Sequence, residues 1–162
     1  MRLVCFLLTL TGGLGAQLRS LEMAFSGIEC ASCVESMPAR IQRMRGVESA
    51  KVDTAKQILS VKLAAGNRVR VEQIRDAIEQ DGTKAREAAV TIQGVLSEES
   101  GRWLLKTPSG SQFEVSLDGG GAPSLQYSLK AGRASVSGAI RNLRPEAGVM
   151  TIATTSVEPF NE

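Results

Sequence analysis

The 162-residue sequence contains no histidine. That excludes a Ser-His-Asp triad, a Cys-His pair, a histidine-rich zinc site and a haem held by histidine. Any catalyst built here would have to work with carboxylates, lysine or thiol. Aromatic residues are scarce, with four Phe, one Tyr and one Trp. An excess of one charge is also lacking: 19 Lys and Arg against 17 Asp and Glu leave a net charge of +2. No basic field points to nucleic acid and no acidic tail points to disorder. The longest apolar run, Leu3 to Leu10, falls short of the ~20 residues a membrane span requires.

What is present begins with that run. "MRLVCFLLTLTGGLGAQ" has one early charge, Arg2, then the apolar stretch, then small residues ending at Ala16. This pattern predicts a secretory signal peptide over residues 1–16. A buried N-terminal strand or helix is the alternative. Cleavage would remove Cys5 and leave Cys30 and Cys33, in an oxidising compartment where disulfides persist. No stable membrane insertion is expected after cleavage.

The next segments change period from element to element. "LEMAFS" alternates Leu21, Met23 and Phe25 with Glu22, Ala24 and Ser26, which predicts a strand with one buried face. After the turn at Gly27, Cys33, Met37, Ile41 and Met44 form a helical stripe, closed by Gly46. "VESAKVD" and "ILSVKLA", joined by "TAKQ", predict a hairpin. "VEQIRDAIEQDG" predicts a second helix with Val71, Ile74 and Ile78 on one face and a stop at Gly82. "KAREAAV" predicts a further strand. The order is βαββαβ, that of the ferredoxin-like α+β superfold.

From about Val90 the texture changes to short strands separated by Gly, Ser and Pro: "VTIQGVL", "GRWLLKT", "QFEVSL", "RASVSGAI" and "GVMTIATTSV". "PSLQYSLKAG" reads as a short helix or an irregular loop. This pattern predicts a small all-β barrel of OB-like plan over residues 89–158, with Gly94 and Gly138 at sharp bends. An irregular β-sandwich is the alternative. The rings of Trp103 and Phe113 share strand parity with apolar neighbours and are expected in the core. Arg102, Lys106, Arg133 and Arg141 are scattered among acids, so no nucleic-acid partner is expected. Met23, Met37, Met44 and Met150 fit core positions better than a thioether site. The acidic residues of the second helix read as a solvated face.

The chemistry rests on "GIECASC", residues 27–33. Cys30 falls in the turn and Cys33 in the first turn of the helix. Unpaired N–H groups and the positive helix end favour an anion there, which raises the thiolate fraction. Two thiolates on one short loop suit a soft d¹⁰ ion that accepts near-linear coordination, Cu(I) or Hg(II). They do not close a structural Zn²⁺ site, so Zn or Cd would need added ligands. A two-coordinate ion stays open to a third thiolate, so a partner can take it by exchange. Two rival readings remain for the pair: a thiol–disulfide redox couple, or a structural disulfide in an interaction module.

These residues resemble the heavy-metal-associated domain of copper chaperones, P-type ATPase N-termini and periplasmic mercuric-ion binding proteins. The resemblance spans about residues 19–88. It is carried by Gly27-Ile28-Glu29-Cys30-Ala31-Ser32-Cys33, by Gly46-Val47, by Ala77-Ile78 with Gly82, and by the element order. It implies a metal-ligand role for Cys30 and Cys33, and no catalytic residue. It also implies a donor or acceptor protein such as a membrane metal transporter, and, with the leader, a secreted protein of the bacterial periplasm. Three positions depart from the family pattern. Ile28 stands for its methionine and Thr83 for its common aromatic. Pro38 falls in mid-helix, where it removes a backbone bond to Val34 and costs about 3 kcal/mol or kinks the helix.

Overall fold

A computed structural model describes residues 17–27, 31–117 and 132–159, without the side chains of Ala31 and Cys33. The expected signal peptide, residues 1–16, and most of the "PSLQYSLKAG" segment lie outside the described residues. The elements run β1 (Leu18–Ser26), α1 (Ala31–Gln42), β2 (Val47–Asp53), β3 (Ile58–Leu63), α2 (Val71–Glu79), β4 (Lys84–Glu99), β5 (Arg102–Lys106), β6 (Gln112–Ser116), β7 (Gly132–Ile140) and β8 (Met150–Pro159). Among the described residues, no helix is long and apolar enough to cross a membrane.

The first half is the expected βαββαβ arrangement, with sheet order β2-β3-β1-β4, every pair antiparallel. Period-two alternation buries Leu21, Met23 and Phe25 of β1, while Val34, Met37 and Ile41 of α1 and Val71, Ile74 and Ile78 of α2 are buried with them. Each such side chain contributes about 1.5–3 kcal/mol of hydrophobic stabilisation. Asn67 fixes the β3–α2 connection. Its Nδ2 donates to Leu18 O at 2.9 Å and to Ala64 O at 2.7 Å, and its Oδ1 accepts the Val69 N–H at 3.1 Å. The extended Arg70 starts α2, its N–H donating to the Gln73 side chain at 2.9 Å.

α1 continues through Pro38 to Gln42. Proline deletes one donor, but buried Val34, Met37 and Ile41 anchor the helix on both sides of it.

The sequence pattern predicts separate strands at "KAREAAV" and "VTIQGVL"; the chain instead forms one strand, β4, of 16 residues. The reason is an alternation that never breaks: Ala88, Val90, Ile92, Gly94 and Leu96 are all buried, with more exposed residues between them. No turn residue interrupts the run between Ala89 and Val90. The expected division between residues 88 and 89 falls inside this strand. One edge of β4 pairs with β1 as far as Ile92 and with β5 from Val95; the other edge pairs with β7 from Ala88 to Leu96.

Beyond β4 the pairings return on themselves. β4 pairs with β5, β5 with β6, β6 with β8, β8 with β7, and β7 with β4 again. Only β6–β8 is parallel among them. Gly138 lies at a register shift between β7 and β8, where a Cβ would come within 2.4 Å of Ala153 O and 2.7 Å of Ile152 Cγ2. Only a residue without Cβ lets these two backbones approach so closely. The buried side chains, from Leu18 in β1 to Val157 in β8, form one connected cluster, so the two halves share a core.

Candidate metal centre

β1 delivers the chain to Ser26, and Gly27 turns it with φ 78. Cys30 lies outside the described residues, as does Ile28. α1 begins at Ala31, which makes Cys33 the third residue of the helix, with its side chain outside the described set. The first turn of a helix carries N–H groups without intrahelical partners and the positive end of the dipole. A thiol placed there is held toward thiolate, the form that binds metal and attacks disulfides.

The described frame around this junction is tight. Val34 and Met37 of α1 and Phe25 of β1 are buried beneath it. The turn between α2 and β4 stands against Gly27: a Cβ added there would meet Gly82 O at 3.8 Å. Thr83, at the position where an aromatic is common in the resembling family, is only 2% exposed.

Polar contacts bind the same parts together. Arg40 of α1 donates to Asp81 of the α2–β4 turn at 2.6 Å, with both side chains about three-quarters covered. Arg86 Nε donates to Ser26 Oγ at 2.7 Å. Ser26 also pairs with Lys84 in the β1–β4 ladder. Of the two flanks of the cysteine segment, α1 is thus tied to the α2–β4 turn and β1 to the start of β4. Lys84 and Arg86, both exposed, stand at the start of β4 beside the end of β1.

Among the described residues, no three His, Cys, Asp or Glu side chains converge on a point that would hold a metal ion. The other candidates from sequence take structural places. Met23, Met37 and Met150 are buried, and Met44 packs against the core. Phe113 is buried and Trp103 partly buried against the same cluster.

The second helix corrects one expectation. Its acidic face is not simply solvated. Glu79 is 22% exposed and forms an ion pair with Arg144 in the β7–β8 connection. Its Oε1 also accepts the Ala85 N–H at 3.3 Å. Arg75, four residues earlier, donates to Leu143 O at 2.6 Å. The i,i+4 spacing of Arg75 and Glu79 is visible in the sequence, but their partners 68 and 65 residues away are not.

The heavy-metal-associated domain family model matches residues 22–84. Three solved structures illustrate the likeness. A CopZ metallochaperone is 27% identical, with 41% of this chain aligned to 97% of it and a TM-score of 0.37. A copper-binding domain from a P-type ATPase is 30% identical, with 41% of this chain aligned to 89% of it and a TM-score of 0.37. The N-terminal domain of a potential copper-translocating P-type ATPase from Bacillus subtilis is 24% identical, with 42% of this chain aligned to 84% of it and a TM-score of 0.38. No curated protein matches the chain. The matched segment runs from β1 through α2 to the first residue of β4 and encloses the CxxC pair at the β1–α1 junction. Residues 22–84 belong to the heavy-metal-associated domain family.

Proposed function

We propose that this protein captures one soft metal ion, Cu(I) or Hg(II), between the thiolates of Cys30 and Cys33 and hands it to a partner by ligand exchange. The observation that carries this reading is the family match over 22–84 around a CxxC pair whose second cysteine sits in the first turn of α1. A dithiolate holds a soft ion with two bonds and leaves it open to an incoming third thiolate. The chemistry makes and breaks metal–sulfur bonds only, so the protein acts as a carrier and not as an enzyme. Zn or Cd would bind only with ligands from outside the pair. The solved copper-transporting ATPase domains that resemble this segment favour a membrane metal transporter as donor or acceptor.

We read the protein as exported to a bacterial periplasm, on the N-terminal pattern Met1–Ala16. We divide the mature chain near residues 88 and 89, with β4 common to both parts. The second part is read as an OB-like barrel. Its strand order and its single parallel pair, β6–β8, support that plan.

The test is replacement of either thiol. Cys30→Ser and Cys33→Ser should each abolish tight Cu(I) binding under anaerobic, reducing conditions while leaving the far-UV spectrum unchanged. Retention of wild-type affinity by both variants would overturn the ligand assignment. Catalytic turnover of a disulfide substrate would favour the redox reading instead.

A further inference from the structure

The elements that flank the cysteine segment, the end of β1 and α1, are braced by their own domain and, one contact further out, by the second half of the chain. The path consists of named short contacts. Glu79, in the last turn of α2, holds two groups at once: the Arg144 guanidinium from the β7–β8 connection and the Ala85 N–H at the start of β4. Ala85 pairs with Phe25, and its neighbour Lys84 pairs with Ser26, the last residue of β1 before Gly27. On the other flank, α1 is tied through Arg40 to Asp81, two residues beyond Glu79. Arg75 adds a second tie from α2 to the same connection, through Leu143 O. Leu143 itself is 5% exposed and belongs to the shared core, so this anchorage is fixed and not a dangling loop.

We propose that Arg144 is a positioning residue for the metal site: it acts through Glu79 on the α2–β4 turn and so sets how firmly Ser26 and Gly27 hold their end of the CxxC segment. This rests on the reading of Cys30 and Cys33 as the metal ligands. The consequence is reciprocal. A brace that favours the metal-holding arrangement must itself be tightened when the ion binds, because coupling between two sites is the same in both directions. The Arg144 side chain is 64% exposed and that of Glu79 22% exposed. An ion pair in such a setting is weakened by salt, so the coupling is modest and salt-sensitive. That sensitivity separates it from a packing effect.

Two arms test the proposal. The first uses metal-free reduced protein: Arg144→Ala should raise amide exchange at Ala85 and Ser26, with Arg144→Lys falling between variant and wild type. Exchange altered only within residues 141–149 would overturn the brace, whatever the protein does with metal. The second arm measures Cu(I) affinity by chelator competition. R144A should weaken it about two- to five-fold at low salt, with the difference vanishing in molar salt. A denaturant midpoint for each variant identifies a merely structural loss, which would lower stability without moving affinity. Equal affinity of R144A and wild type at low salt would overturn the proposal and leave the dithiolate reading standing. Failure of the wild type to bind Cu(I) at all would overturn both, and the first arm would still report whether the brace exists. Glu79→Gln provides a second variant on the same path, with the same expected direction.

Discussion

Ile92 is one of the buried side chains that join the two halves of this protein. It is 1% exposed, lies on β4, and is flanked by Leu18 of β1 on one side and Val136 of β7 on the other. With Leu18, Val69, Val71, Thr107 and Phe113 it lines a small, half-open cleft. Ile92→Ala removes three carbons. At ~0.8 kcal/mol per buried CH₂ the transfer loss is about 2.4 kcal/mol. Neighbours on three different strands cannot all collapse into the gap, and the added cavity term brings the expected cost to about 3–4 kcal/mol. For a chain of this size that corresponds to a drop in Tm on the order of 10 °C. The assay uses two probes that report different halves. Trp103, the sole tryptophan, lies in β5 and reports the second half. Among the described residues the helical signal at 222 nm comes from α1 and α2, both in the first. If β4 and the shared core make one cooperative unit, both probes follow one transition, and the substitution shifts them together. Separate transitions, or a shift in one probe alone, would refute the reasoning.

Gly138→Ala forces a methyl to within 2.4 Å of a backbone oxygen and is expected to cost about 1–3 kcal/mol, seen as a lowered denaturant midpoint with α1 and α2 intact. Pro38→Ala restores a donor inside α1 and should raise stability by up to about 3 kcal/mol, measured by the same titration. The hydrogen bond from Lys106 holds the Glu99 carboxyl below its ordinary value of 4.5. A depressed carboxylate contributes stability above its unfolded value, and that contribution disappears as pH falls through the folded one. Glu99→Gln should therefore flatten a small part of the stability loss below about pH 4.5 relative to wild type, an effect removed by salt because the pair is exposed.

The first half of the fold is legible from local pattern because each element has one buried face and a clear stop. Leu21, Met23 and Phe25 alternate; Met37 and Ile41, and Ile74 and Ile78, recur at helical spacing; the helices end at Gln42 and Glu79, and Gly46 and Gly82 lie in the turns that follow them. The cysteine spacing is equally legible, since two thiols at a strand–helix junction point to few chemistries. The unity of β4 is harder to see. A change in composition near Val90 looks like a boundary, whereas the alternation of buried positions runs straight through it. The parallel pairing of Phe113–Ser116 with Met150–Ala153 joins segments more than thirty residues apart, and no local period encodes such a partner. The ties from Arg75 and Glu79 to Leu143 and Arg144 are hidden for the same reason. Charged residues on an amphipathic helix carry no mark of whether water or another element receives them.

The central claim is that Cys30 and Cys33 together hold one soft ion. Its most direct test is anaerobic titration of the reduced protein with Cu(I) against a competing chelator, read by native mass. The account predicts one ion per chain, bound tightly only when both thiols are free and released to a dithiol acceptor. Wild-type protein that leaves Cu(I) with the chelator while both thiols are demonstrably reduced would contradict it.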